Sequence, residues 1–213
     1  MTTILLVRHG ESGANGAGFF AGQVDIPITS RGEAQARAAA KYVAKNYSVD
    51  AIYSSDLKRA MATADALSRV VGKEIVPDGN LREIYAGKWQ GVTFSALEKD
   101  YADTYSVWLS DVGRARPDGG ESVKELAGRV YETIEKIARG NDGKTVAVFT
   151  HATPLRAFMS VVLTGGTDRM RDIPWVGNAS LTKAVYEDGK FAIIDSGVDF
   201  YLENLKTTFP PNV

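Results

Sequence analysis

The chain has 213 residues, of which 44% are hydrophobic and 24% charged, with a formal net charge of −1 and no cysteine. That length suits one domain, 1–213, with a sizeable core, and the composition is that of an ordered soluble protein. The charge balance excludes a general attraction to nucleic acid or anionic lipid, and the missing cysteine excludes disulfides, thiolate metal sites and thiol nucleophiles.

In chain order, the apolar run 4–7 (ILLV) reads as a strand, and it is too short for a signal-peptide core. Residues 31–47 read as a helix rich in Ala, Gln, Lys and Arg, with Ser30 and Glu33 as a capping box. A strand at 50–55 is followed by a helix at 56–71 with Leu57, Ala60, Met61, Ala64 and Leu67 on one face and Gly72 as its stop. A strand at 73–77 comes next. The loop PDGGES (117–122) leads into a helix with Ser122 and Glu125 as capping box, Val123, Leu126, Val130, Ile134 and Ile137 at helical spacing, and Gly140 as the stop. The strand 145–150 and the helix 154–163, with Pro154 in its first turn, precede strands 180–186 and 191–195, joined by a hairpin at Asp188-Gly189. The tail 206–213 reads as a loosely held end.

Strands alternating with helices imply α/β architecture: a three-layer α/β/α sandwich around a mostly parallel sheet, made mixed by the final hairpin. No segment approaches the roughly 18 uninterrupted apolar residues of a membrane span. The expectation is a cytoplasmic protein without nucleic-acid or membrane partners.

His9 and His151 are the only histidines, and each directly follows an apolar strand, ILLV-R-H and TVAVFT-H. In an open α/β sheet the carboxyl ends of the strands are where ligands bind, so the two rings are expected to share one cleft. Arg8 beside His9 argues against a metal pair and for an anion, because a guanidinium fork matches phosphate or carboxylate oxygens. A histidine held in a phosphate pocket can attack phosphorus itself, and Gly10 is expected to let backbone approach the anion closely.

With those residues in view, LLVRHGES (5–12) resembles the signature of the histidine phosphatase superfamily, whose phosphoglycerate-mutase-like fold carries R-H-G-E-[TS] after a strand. The likeness continues in order through FAGQVDIPITSRGEAQA (20–36), YSSDLKRAMATA (53–64), LREIYAGKWQG (81–91), FTHATPLRAF (149–158) and VGNAS (176–180), and so spans most of the chain. It implies His9 as nucleophile, Arg8, Arg59 and His151 around the phosphoryl oxygens, and Glu83 as general acid and base. Ser12, Asn15, Gln23 and Ala152 are further candidates for holding phosphate or the rest of the substrate. Glu11 is expected to orient His9 or an arginine; 117–122 reads as a loop before a capped helix, a segment that in this family can border the pocket. No metal and no cofactor are implied. Many relatives place glycine after the second histidine where this chain has Ala152 and Thr153, which predicts a narrower pocket.

The resemblance implies a phosphomonoesterase acting on a small phosphorylated metabolite. The first rival is a phosphoglycerate-type mutase, which resembles R-H-Y-G-x-L-x-G after the catalytic glutamate. This chain has Ile84 through Gly91 instead and lacks the extra shielding segment, which favours hydrolysis. The second rival is a non-catalytic phosphate binder, opposed by the full set of acid, nucleophile and anion donors. Phe19, Phe20, Trp89, Tyr101, Tyr105 and Trp108 are candidates for an apolar wall, and Arg114, Arg116, Arg169 or Arg171 for meeting a second charge. The leaving group and the oligomeric state stay open, a homodimer among the options.

Overall fold

Ile4, Leu5, Leu6 and Val7 have no exposed surface, and a strand buried on both sides needs a layer over each of its faces. The computed structural model, which describes residues 1–208, supplies both layers. Strand β1 (Thr2–Arg8) lies inside a six-stranded sheet with β2 (Ala51–Ser54), β3 (Ile75–Pro77), β4 (Thr145–Thr150), β5 (Leu181–Glu187) and β6 (Lys190–Val198). The order is β3-β2-β4-β1-β5-β6, with the first four parallel, β5 antiparallel to β1 and β6 antiparallel to β5.

Successive strand residues point to opposite faces, and the core divides accordingly. Leu5 and Val7 join Ile52, Ala147 and Phe149 under α2 (Ser30–Asn46) and α3 (Lys58–Val71), through Ala40, Val43, Ala64 and Leu67. Ile4 and Leu6 join Val146 and Val148 under α6 (Val123–Arg139) and α7 (Ala152–Thr164), through Leu126, Val130, Ile134, Leu155 and Phe158. The expected three-layer α/β/α architecture with a mixed sheet is therefore the observed one.

The predicted capping box of α6 forms, with Ser122 Oγ accepting from Glu125 N at 3.2 Å and Glu125 Oε2 from Ser122 N at 2.8 Å. Gly72 ends α3 in the left-handed region, at φ 66°. Asp188 and Gly189 both take positive φ, 49° and 77°, as a tight hairpin turn requires.

Three helix starts differ from the sequence reading. Thr29, not Ser30, caps α2, its hydroxyl accepting from Gly32 N at 3.1 Å. Helix α3 begins at Lys58, because Asp25 reaches across from a separate loop and accepts from Lys58 N at 2.7 Å. Helix α7 begins at Ala152, with Pro154 inside its first turn. Of the tail, Leu205 O and Thr207 Oγ1 accept from Gln35 Nε2 at 2.8 and 2.9 Å and Lys206 bonds Asp199 at 2.8 Å, so 205–207 are tied down; 209–213 lie outside the described residues. The short helices α1 (Gly13–Ala17), α4 (Phe94–Asp100) and α5 (Ala102–Ser110) were not expected. Among the described residues no helix is long and apolar enough to cross a membrane.

Candidate active site

Strands β1 and β4 are parallel neighbours, with Arg8 paired to Thr150 in register. The residues that follow them, His9 and His151, therefore emerge side by side, with ring centroids 5.1 Å apart. His9 sits at the head of a cleft of about 590 Å³ whose wall also includes Arg8, Arg59 and Glu83.

His9 Nδ1 lies 2.7 Å from the carbonyl oxygen of Gly10. A carbonyl only accepts, so Nδ1 carries the proton and Nε2 keeps its lone pair. Burial, then the cations Arg59 and Arg8, push the ring's pKa well below the usual histidine value, so the neutral form is the stable one. Asn178 Nδ2 donates to His9 O at 3.0 Å and holds the peptide that carries the ring.

His151 is the mirror case. Its Nδ1 accepts from Arg59 Nε at 3.2 Å, which leaves Nε2–H to donate to Ser55 Oγ at 2.8 Å. Burial and then Arg59 hold it neutral as well. It is fully buried behind His9 and is not on the cleft wall.

The two guanidinium groups are fixed by backbone. Arg59, in the first turn of α3, donates from Nη1 to Val24 O at 2.8 Å and from Nη2 to Gly22 O at 2.7 Å. Arg8 Nη1 donates to Val176 O at 2.6 Å, and burial lowers its pKa to about 10. Both remain cations at neutral pH, and Glu83 is the carboxylate whose field favours their charge. Helix α3 is also latched to the end of β1, since Thr63 Oγ1 accepts from Gly10 N at 3.0 Å.

Glu83 reaches the cleft from the loop after β3. Its Oε1 accepts from Ile84 N at 2.8 Å and its Oε2 from Thr153 N at 3.3 Å. The loop is held by Arg129 of α6, which donates to Asn80 O, Arg82 O and Glu83 O at 2.8, 2.9 and 3.0 Å while pairing with Glu121 at 2.6 Å. Arg129 went unnoticed in the sequence because it reads as an ordinary polar position on an amphipathic helix.

Of the remaining candidates, Ser12, Asn15 and Ala152 line the cleft. Asn15 Oδ1 accepts from Ser12 N and Ser12 Oγ at 3.0 and 3.1 Å. Gln23 is not on the wall; its Nε2 donates to Glu83 O at 3.1 Å and so braces the acid's loop. Glu11 orients neither His9 nor a site arginine. It accepts from Thr29 Oγ1 at 2.9 Å and pairs with exposed Arg31 at 3.5 Å, fastening the loop to α2. Gly10 serves packing rather than anion approach, because a Cβ there would lie 2.5 Å from Gly32 O. Residues 117–122 do not border the cleft; Asp118, Gly119 and Gly120 pack against Gly87 instead.

The far half of the cleft is walled by Phe19, Phe20, Phe94, Tyr105, Trp108 and Trp175. Trp89 lies fully buried behind Phe20, its ring edge-on at 5.5 Å, and Tyr101 is off the wall. Of the four arginines proposed for a second charge only Arg171 reaches the cleft; Arg114, Arg116 and Arg169 pair with Asp111, Glu125 and Asp172. Arg156 of α7, which the sequence reading passed over, does reach it. The signal was a lone charge inside the apolar helical run LRAFMSVVL. The wall thus carries Arg8, Arg59, Arg156 and Arg171 against Glu83 as its one acidic side chain, a concentrated positive field in a chain of net charge −1. Among the described residues no group of three or more His, Asp or Glu side chains is placed to hold a metal ion.

Comparison with known proteins agrees with this geometry. The family model of the histidine phosphatase superfamily (branch 1) matches residues 4–198. A metal-independent phosphoserine phosphatase of Arabidopsis thaliana is 34% identical over 202 residues, covering 93% of this chain and 82% of that protein. A glucosyl-3-phosphoglycerate phosphatase of Mycolicibacterium vanbaalenii is 31% identical over 212 residues, covering 93% of each chain. The solved structure of Bacillus stearothermophilus YhfR superimposes with a TM-score of 0.90 at 27% identity, over 95% of this chain and all of that one. The chain therefore belongs to the histidine phosphatase superfamily, as a hydrolase of the phosphoglycerate-mutase-like fold.

Proposed function

We propose that the protein is a phosphomonoesterase for a small phosphorylated metabolite, working through a phosphohistidine on His9. The observation that carries this reading is the tautomer of His9: Nδ1–H is committed to Gly10 O, so an unprotonated Nε2 stands beside two fixed guanidinium groups at the head of a cationic cleft. The Nε2 lone pair attacks phosphorus while the ester P–O bond breaks, and Glu83 gives its proton to the departing oxygen. Water then attacks the phosphoryl group, Glu83 takes the water's proton, and the P–N bond returns its electron pair to Nε2. Arg8 and Arg59 meet the phosphoryl oxygens, where their backbone-held geometry needs no rearrangement as charge shifts. His151 supports them from behind by fixing Arg59. No step requires a metal, so turnover persists in EDTA.

Hydrolysis rather than phosphoryl return to the product is favoured by the open mouth of the cleft, where Leu109, Ser110 and Trp175 are exposed and water has access. The test is release of inorganic phosphate from p-nitrophenyl phosphate and alkyl phosphates, with acid-labile, base-stable phosphoprotein trapped on mixing. Glu83→Gln is expected to lower kcat/KM for an alkyl phosphate by about 10²–10⁴. It should affect p-nitrophenyl phosphate far less, because that leaving group departs without a proton. Equal losses on both esters would remove Glu83 as the acid, and isomerisation of 3-phosphoglycerate outpacing phosphate release would make the protein a mutase.

A further inference from the structure

Neither the loop 117–122 nor Arg129 reaches the cleft, yet together they grip the segment that carries its one acidic side chain. A guanidinium has five N–H donors, and Arg129 spends all of them. Nη1 donates to Asn80 O and Arg82 O at 2.8 and 2.9 Å, Nη2 to Glu83 O and Glu121 Oε1 at 3.0 and 2.6 Å, and Nε to Glu121 Oε2 at 2.9 Å. Glu121 is tied to the same segment. Its Oε1 also accepts from Tyr85 N at 2.7 Å, and its own N–H donates to Tyr85 O at 2.9 Å. The Glu121 and Arg129 side chains are only 17% and 21% exposed, so their two-pronged pair is largely shielded from water.

This clamp acts on a stretch without regular structure. Residues 83–86 belong to neither helix nor strand, so no ladder of backbone bonds sets the direction of the Glu83 side chain. One peptide unit does so instead. The carbonyl between Glu83 and Ile84 accepts from Arg129, and the N–H of that same peptide donates to Glu83 Oε1 at 2.8 Å. We infer that Arg129 and Glu121 are positioning residues for the general acid: they orient the Glu83–Ile84 peptide, and through its N–H the carboxyl group, without touching substrate. A proton donor must come within hydrogen-bond distance of the departing oxygen, and a displacement of about 1 Å costs on the order of 10²-fold. Lysine cannot replace Arg129, because one ammonium lacks the planar fork that reaches three carbonyls and a carboxylate together. The inference rests on the reading of Glu83 as the acid.

The experiment measures kcat/KM for glycerol 3-phosphate, whose alkoxide needs a proton to leave, and for p-nitrophenyl phosphate, whose phenolate does not. Arg129→Met is expected to lower the alkyl-to-aryl ratio by about 10- to 100-fold, almost wholly through the alkyl ester. Arg129→Lys should leave it at least about fivefold low. Glu121→Gln keeps an acceptor for Tyr85 N and should lower the ratio about two- to fivefold; it carries the test if Arg129→Met does not fold. The ratio is read within one preparation, so a loss of folded protein cancels. On a Glu83→Gln background Arg129→Met should lower the ratio no further, because the acid it positions is gone. Equal losses on both esters, or a further fall on that background, would overturn the inference. Amide hydrogen exchange reads the same positioning without turnover. In either variant the Ile84 and Thr153 amides, which hold the Glu83 carboxylate, should exchange about tenfold faster while Val148 in β4 is unchanged. If no ester is hydrolysed, or Glu83→Gln itself leaves the ratio unchanged, the acid reading fails and exchange decides the positioning: selective loss at Ile84 and Thr153 upholds it, and unchanged or uniform exchange refutes it.

Discussion

The two histidines occupy equivalent places in the sequence, each one residue past a buried parallel strand, yet the fold gives them opposite tautomers. His9 donates from Nδ1 to a carbonyl and presents a bare Nε2 on the cleft wall. His151 accepts at Nδ1 from Arg59, donates from Nε2 to Ser55 and is sealed behind its neighbour. Both are neutral for the same reason, burial beside arginines. The difference lies in what each ring nitrogen meets: one ring offers a bare nitrogen to the cleft and the other holds Arg59.

The contrast breaks first at His9. His9→Ala is expected to reduce phosphate release by on the order of 10⁴ or more and to abolish the trapped phosphoprotein, whereas His151→Ala costs about 10²–10³ and still forms it. Acid-quench labelling of the two variants decides this; trapped phosphate in His9→Ala would reverse the assignment. Next comes the link between the rings and the cations. Arg59→Met should cost about 10²-fold in kcat/KM, and inorganic phosphate should inhibit the variant more weakly. An unchanged inhibition constant would place the anion elsewhere.

Acid should act on both histidines together. Each has its folded-state pKa depressed, so the unfolded chain takes up a proton that the fold refuses. Stability is then fully present above about pH 6.5 and falls as pH drops below it, by up to about 1.4 kcal/mol per pH unit for each ring. Urea midpoints between pH 7.5 and 5 measure the slope, and His151→Gln should roughly halve it. The smallest effect is expected at Ser55. Ser55→Ala leaves His151 Nε2–H buried without its acceptor, at about 1–2 kcal/mol by chemical denaturation. No loss there would mean that the ring has taken its other tautomer.

Much of the phosphoryl end was legible in the sequence. Continuous aliphatic runs marked β1 and β4, a 3.6-residue apolar period and capping residues marked α3 and α6, and Arg8, His9, Arg59, Glu83 and His151 stood in motifs attached to those elements. Where a side chain's partner lay far along the chain, the reading was weaker. The cap of α3 comes from Asp25 in another loop, Gly10 is glycine because Gly32 packs on it, and Glu11 turns toward α2 rather than toward the histidines.

The aromatic end of the cleft was the least legible. Helices α4 and α5 are too short for their period to stand out, and Phe20, Trp108 and Trp175 read like any aromatics until the chain folds them onto one wall. Local pattern by itself determined the strands, the main helices and the family motifs that carry the candidate site residues, because hydrophobic period and short motifs are properties of neighbouring residues. Tertiary structure alone decided which ring nitrogen is bare, which arginines are held by backbone and which cations reach the cleft wall. Apart from the local bond between His9 and Gly10, those are set by hydrogen bonds between residues tens to more than a hundred positions apart, and only packing brings them within 3 Å or so of one another.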